Sequence, residues 1–144
     1  MKHTGLTVAI ALAAPTVAIA QSPDTLPARV AERQIDTFNR RDLAGFLALY
    51  ADDAQVFEFP SGKVLAQGKP AVRQRYEATF KAGTTPPVRV EPRIVDGAFV
   101  VDNERWDAKP GERNQAVWMY EIQGGLIRKA WAVVMTATGG EKKP

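Results

Sequence analysis

The chain has no cysteine and a single histidine, His3, at its N-terminal edge. Without cysteine, no disulfide can staple the fold, and no thiol can act as nucleophile, metal ligand or lipid-attachment point. With His3 set aside, Ser-His-Asp triads and ordinary zinc sites are excluded as well. Acid–base chemistry is left to Asp, Glu, Lys or Tyr. A long apolar run is also missing, because Leu6 to Ala14 falls short of the ~20 residues that span a bilayer. So is a strong charge of either sign. The net charge is +3 with bases and acids interspersed, so neither nucleic acid nor an anionic membrane surface is expected as a partner.

What is present divides the chain into a leader, a domain and a tail. Lys2 and His3 make a basic start, Leu6 to Ala14 an apolar stretch, and Ala18-Ile19-Ala20 a small-x-small cleavage site. This layout predicts a secretory signal peptide over residues 1–20 and a periplasmic or secreted product with no membrane attachment after cleavage. The removed segment carries one base and no acid, so the remainder keeps a net charge of +2. Residues 21–27 (QSPDTLP) read as a loose lead-in, 28–137 as one domain, and 138–144 (TGGEKKP) as a disordered tail. The hydrophobic content, 45%, suits a single buried core.

Two helices come first. Val30, Ala31, Ile35 and Phe38 recur at three- and four-residue steps, which predicts an amphipathic helix from Pro27. Asp42 is placed to cap a second helix, Leu43 to Tyr50, with Leu43, Phe46, Leu47 and Tyr50 as its apolar stripe. Asp52-Asp53 is expected to end that helix, ahead of a strand over Ala54–Phe59, a Pro60-Ser61-Gly62 turn and a return strand over Lys63–Ala66. Adjacent acids in such a place are turn residues rather than a metal pair, since neighbours in extended chain point apart. A third helix opens at Gly68-Lys69-Pro70, buries Val72, Tyr76 and Phe80, and stops at Gly83.

The remainder reads as four strands, Val88–Val95, Ala98–Ala108, Arg113–Gln123 and Leu126–Thr136, joined by turns at Asp96-Gly97, Lys109 to Glu112 and Gly124-Gly125. If each turn closes symmetrically, Ile94 faces Phe99, Val101 faces Tyr120, Asn103 faces Trp118, and Trp118 faces Trp131. One face then carries Asn103, Arg105 and Lys129 among apolar residues. The other pairs Arg89 with Glu104 and Glu121 with Arg128. Helices laid over the first face would enclose a pocket of aromatics with a few polar groups, the usual make-up of a small-molecule site. Arg105 and Lys129 could equally snorkel from its rim. Asn103, beside Trp118, is the better pocket candidate.

The order helix, helix, strand, strand, helix and four strands resembles the nuclear-transport-factor-2-like superfamily, which includes SnoaL-like polyketide cyclases and ketosteroid isomerases. The residues that carry the likeness are Asp42-Leu43, Ala48 to Ala54 (ALYADDA), Gly68 to Val72 (GKPAV), and Trp118 to Val134 with its Gly124-Gly125 turn. The resemblance implies an α+β fold in which a cone-shaped curved antiparallel sheet, order ααββαββββ, is wrapped by three helices around a cavity. It also implies, often, a homodimer formed through the outer sheet face; Val117, Met119, Ala130, Ala132 and Val134 would supply that face. Ketosteroid isomerases hold a base on the first strand and an oxyanion hole of a Tyr and a protonated Asp. Aligned without gaps from Asp42, the base falls on Glu58, the Tyr on Gln34 and the Asp on Trp118. The carboxylate is kept and both oxyanion acids are lost, a departure from ketosteroid isomerase chemistry, although Gln34 and Trp118 can still donate hydrogen bonds.

Glu58 admits two orientations. Plain alternation with Phe57 and Phe59 turns it to solvent. The gapless alignment and Val56 turn it into the cavity, and Pro60, one residue later than in the isomerases, hints at a bulge. With the inward orientation, Glu58 is the expected general base of a cofactor-free isomerase, cyclase or hydratase acting on a small apolar molecule. Gln34, Tyr50, Phe57, Asn103, Trp118, Tyr120 and Trp131 are the expected ligand-binding residues. No metal or cofactor is expected. A binding or dimerising module with the same cavity and no catalysis is the competing reading.

Overall fold

A computed structural model of the chain describes residues 25–110 and 112–133. The leader, the first part of the lead-in and the tail expected above lie outside these residues. Three helices and six strands follow in the order α1 (Leu26–Asn39), α2 (Leu43–Ala48), β1 (Tyr50–Phe59), β2 (Val64–Gln67), α3 (Lys69–Ala82), β3 (Arg89–Asp96), β4 (Phe99–Arg105), β5 (Gln115–Gln123) and β6 (Leu126–Val133). This is the expected α+β element order.

The helix ends follow from local chemistry. Thr25 caps α1, so Leu26 and Pro27, read from sequence as loose, are already helical. Asp42 Oδ1 accepts from Gly45 N at 2.8 Å at the start of α2, a contact of a kind worth about 1 kcal/mol. Gly83 closes α3 in the left-handed region at φ 66°, where glycine lacks the Cβ penalty. The second helix is two residues shorter than expected. Leu49 O accepts from Ile127 N at 2.8 Å, and Tyr50 pairs with Ile127. Pairing with β6 therefore captures the chain before Asp52-Asp53, which lies within β1 rather than in a turn. The two acids diverge, Asp52 to Lys69 at 2.8 Å and Asp53 to Arg128 at 3.1 Å.

The sheet runs β2-β1-β6-β5-β4-β3. Every neighbouring pair is antiparallel except β1 with β6, which is parallel. α1 crosses β3, β4 and β5, α3 lies over β1 and β2, and α2 sits between them. The core under the helices is built on Phe46, Tyr50, Val56, Val72, Val100 and Ile127, all fully buried. Phe46 makes ring contacts with Phe38, Tyr50, Tyr76 and Phe80 at centroid distances of 4.7 to 6.4 Å, a cluster that ties α1, α2 and α3 to β1.

The register corrects the expected pairings. Val100, not Val101, faces Tyr120; Asp102, not Asn103, faces Trp118; and Ala132, not Trp131, faces Trp118. The Gly124-Gly125 turn closes as a two-residue hairpin, Gln123 against Leu126, but an irregularity between Glu121 and Ile122 shifts all later pairs by one. The β4–β5 connection keeps the expected Lys109–Glu112 turn, Glu112 N donating to Lys109 O at 3.0 Å, but the strands pair one residue out of symmetry with it, Trp106 N donating to Asn114 O at 3.1 Å. A bulge between Val90 and Arg93 in β3 brings Arg93 opposite Asp102. The β3–β4 turn keeps its two-residue length but sits one residue later, at Gly97-Ala98, so Ile94 faces Val101 and Phe99 faces Asp96. Ile94 and Phe99 are exposed.

Each shift of one residue moves a side chain to the other face. The helix-covered face therefore carries Val100, Asp102, Glu104, Trp118, Tyr120 and Ala130. Asn103, Arg105, Lys129 and Trp131 lie on the outer face. The expected charge pairs change too: Arg89 pairs with Asp107 at 3.1 Å and Lys129 with Glu121 at 3.2 Å.

Candidate functional site

Between α1, α3 and the sheet lies a cavity of about 210 Å³ with an almost wholly apolar lining that includes Ile35, Phe38, Val88, Trp106 and Trp118. Gln34, Tyr76, Thr79, Thr85 and Glu104 are the polar residues that line it. A second, open lobe of about 440 Å³ holds Glu58, Arg75 and Arg113 and shares Trp106, Ala116 and Trp118 with the first. The inner lobe alone is smaller than the ~300–1,000 Å³ typical of ligand sites, and the two lobes together reach that range.

Glu104 is the chemically distinctive group. It is 8% exposed, and the Tyr120 hydroxyl donates to its Oε1 at 3.3 Å. Burial pushes its carboxyl up to about 8, and the neighbouring Asp102 charge adds to the rise; the Tyr120 hydrogen bond and Arg93 oppose it. Glu104 is thus mainly a neutral acid at pH 7, with an O–H to donate. Asp102 beside it is fully buried and held by Arg93 through Nε to Oδ1 at 2.7 Å and Nη2 to Oδ2 at 2.9 Å. The bidentate fork fixes both groups, and Arg93 Nη1 also donates to Ala28 O at 3.2 Å, which pins α1 to the sheet.

Three tyrosines and Gln34 surround this acid. Burial raises the hydroxyls of Tyr50 and Tyr120 well above their ordinary value and that of Tyr76 to about 12, so all three stay protonated. Gln34 and Tyr76 flank the Tyr50 hydroxyl, yet neither Tyr50 Oη nor Gln34 Oε1 reaches a partner in good hydrogen-bond geometry. Buried polar atoms left in this state are uncommon and mark a place where a bound group can complete the network.

The expected site residues separate into three groups. Gln34 and Trp118 line the inner lobe, with Tyr50 and Tyr120 buried beneath it. Glu58 lies opposite Ala132, which itself faces Trp118, so it projects to the helix-covered side and reaches the open lobe. A register shift in the β1–β2 pair between Val56 and Phe57 accompanies this, in line with the bulge hinted at by Pro60. Ser61 Oγ donates to Glu58 Oε1 at 2.8 Å. Phe57, Asn103 and Trp131 lie on the outer face, away from the pocket. There Phe57 stacks on Trp131 at 5.9 Å, and Asn103 Nδ2 donates to Glu91 O at 2.9 Å.

Glu104 and the Arg93–Asp102 pair were not anticipated. The alternation Val100, Asp102, Glu104 against Val101, Asn103, Arg105 has acids on one side and mixed residues on the other, so pattern alone sends the acids outward. Only the register shift turns them in. Among the described residues, no group of three or more His, Cys, Asp or Glu side chains is arranged to hold a metal, and no helix is long and apolar enough to cross a membrane.

A curved, unclosed sheet with three helices over one face and an acid-bearing apolar pocket between them defines an α+β domain of the nuclear-transport-factor-2-like type. The chain belongs to the SnoaL-like domain family, whose model matches residues 31–130. Solved structures with the same fold include a nuclear-transport-factor-2-like protein of unknown function from Mesorhizobium loti, 22% identical with TM-score 0.65 over 79% of this chain and 97% of that one. A proposed ketosteroid isomerase from Kribbella flavida is 21% identical with TM-score 0.61 over 83% of each chain. A proposed polyketide cyclase from Sinorhizobium meliloti is 20% identical with TM-score 0.57 over 72% of this chain and 93% of that one. No curated protein matches the sequence.

Proposed function

We propose that this chain is an exported, cofactor-independent acid–base catalyst for an apolar small molecule that carries an enolisable carbonyl. The observation that supports this most is Glu104, a buried carboxylic acid kept neutral near pH 7 and facing an apolar pocket. Such a group can donate a hydrogen bond to a developing oxyanion in water-poor surroundings, where it is most effective. Glu58 in the open lobe is the base. It takes a proton from the carbon next to the carbonyl, the electron pair moves onto the oxygen, and Glu104 O–H stabilises the enolate. Return of the proton to another carbon completes an isomerisation, and trapping of the enolate by an internal electrophile completes a cyclisation. Trp106 and Trp118, common to both lobes, position the ligand between the two acids. Gln34 and the tyrosines complete the inner polar end.

The bicyclic ketone 2-tetralone in deuterated buffer at pH 7 provides a direct test. Proton NMR is expected to show exchange of its α-hydrogens faster with protein than without. Glu58→Gln and Glu104→Gln should each slow that exchange by about a hundredfold, the lower end of general acid–base contributions. If 2-tetralone binds and exchange matches buffer alone, the catalytic reading fails and a non-catalytic ligand-binding module takes its place.

The outer sheet face supports a second proposal, a homodimer. The stacked Phe57 and Trp131 lie there with Val117 and Met119, all half-buried in the single chain. Ala130 and Ala132, expected in this surface from sequence, face the helices instead. Light scattering after size exclusion is expected to give twice the chain mass; a clean monomer would sink the dimer.

A further inference from the structure

We infer that the open lobe is an anion-recognition subsite, so that the ligand is an apolar body bearing a carboxylate, with the head group held between Arg75 and Arg113. This rests on the pocket reading above and adds the substrate class. The lobe contains two guanidinium groups and one carboxylate, Glu58. Among the described residues neither arginine has an acidic partner, although five other ion pairs are formed elsewhere on the molecule. Glu58 is satisfied instead by the Ser61 hydroxyl. The mouth therefore carries one surplus positive charge, which a monoanion would balance.

Each arginine is held by one contact to a near neighbour in the chain. Arg113 Nε donates to Gln115 O at 2.7 Å, which leaves its two terminal nitrogens for an incoming group. The Arg75 guanidinium sits 5.9 Å from the ring centroid of Tyr76, which lines the inner lobe, a cation–π contact that steadies it in the open lobe. A planar fork presented this way matches a carboxylate in geometry as well as charge. Trp106 and Trp118 then take the ligand's apolar body, and the same two charges offset the repulsion between a bound carboxylate and Glu58. That arrangement explains how a carboxylate base and an anionic ligand can share one mouth.

The test compares 2-naphthoate with its neutral counterpart 2-naphthamide, followed through the indole N–H resonances of Trp106 and Trp118 at low salt. The naphthoate is expected to bind about tenfold more tightly, with the advantage shrinking as salt is added. In R75Q/R113Q the preference should fall to within about twofold while naphthamide affinity stays unchanged, which also checks that the pocket is intact. Equal affinities in the unaltered protein, or a preference that survives R75Q/R113Q, would overturn the inference. So would 2-naphthyl phosphate binding more tightly than the naphthoate, because the head group would then be a phosphate. If naphthamide itself fails to bind, the pocket reading falls with this one. If naphthamide binds and the naphthoate gains nothing, only the anionic head group is lost.

Discussion

The folded chain is expected to lose stability as pH rises from about 4.5 to about 8, the interval between the ordinary and the native carboxyl values of Glu104. The sign follows from the direction of the shift. A carboxyl whose native value is raised binds a proton in the folded state that the unfolded chain has already released. Its contribution is complete below 4.5 and gone above 8. A shift of this size corresponds to up to about 5 kcal/mol, less whatever water entering the pocket recovers for the ionised acid. Glu104→Gln isolates the effect, because the amide keeps the acceptor for Tyr120 and cannot ionise. Urea denaturation at several pH values should show the variant equal to or weaker than the parent at low pH and more stable at pH 9. Parallel curves across the whole interval would mean that Glu104 ionises freely and is not the neutral acid described here.

Removal of the Asp102 carboxylate should be nearly as costly. Asp102 is fully buried and meets Arg93 through two short bonds. Arg93 is itself only 15% exposed at its side chain. Deleting one partner of such a pair leaves the other charge poorly solvated, and Asp102→Ala is expected to cost about 3–5 kcal/mol in denaturant unfolding. The same fork, with the Arg93 contact to Ala28 O, anchors α1 over β3 and β4, so loosening it should widen the pocket as well. A second readout separates electrostatics from packing. The Asp102 charge raises the Glu104 carboxyl, so Asp102→Asn should move the Glu104 titration, followed by carboxyl carbon NMR, to lower pH. An unmoved titration, or a loss below about 1 kcal/mol, would show that the pair does not set the state of Glu104.

The fold was largely legible in the sequence because its signals are local. Asp42, Gly83 and the Gly124-Gly125 turn act within a few residues, and the apolar spacing of α1 states directly which face is buried. The pocket was legible only in part. Gln34 and Trp118 were found through the alignment to the isomerase pattern, and Glu58 projects to the side that alignment indicated. Asn103 and Trp131 were misplaced because side-chain facing in β4, β5 and β6 depends on parity, and Phe57 because it alternates with Glu58 along β1 and so faces the other way. Parity was set by the Glu121–Ile122 irregularity and by the one-residue offset across the Trp106–Asn114 connection, neither of which has a strong composition signal. Glu104 and Asp102 were missed for the same reason, compounded by their charge. A buried acid looks like a surface residue until its tertiary partner is known, and Arg93 reaches Asp102 only because a bulge in β3 places it there.

The parallel pairing of β1 with β6 has a consequence for how the molecule is assembled. β1 and β2 come from the first half of the chain and β3, β4 and β5 from the second, and β6 is the strand between the two groups. Until residues 126–133 are in place, each group is a fragment with an open edge and an unshared core. Pairings such as Tyr50 with Ile127 and Val56 with Ala130 must close loops of more than seventy residues, so high contact order and slow, all-or-none folding are built into the topology. The last described strand thus acts as a keystone: a chain ending before it would have neither a continuous sheet nor a floor beneath the pocket.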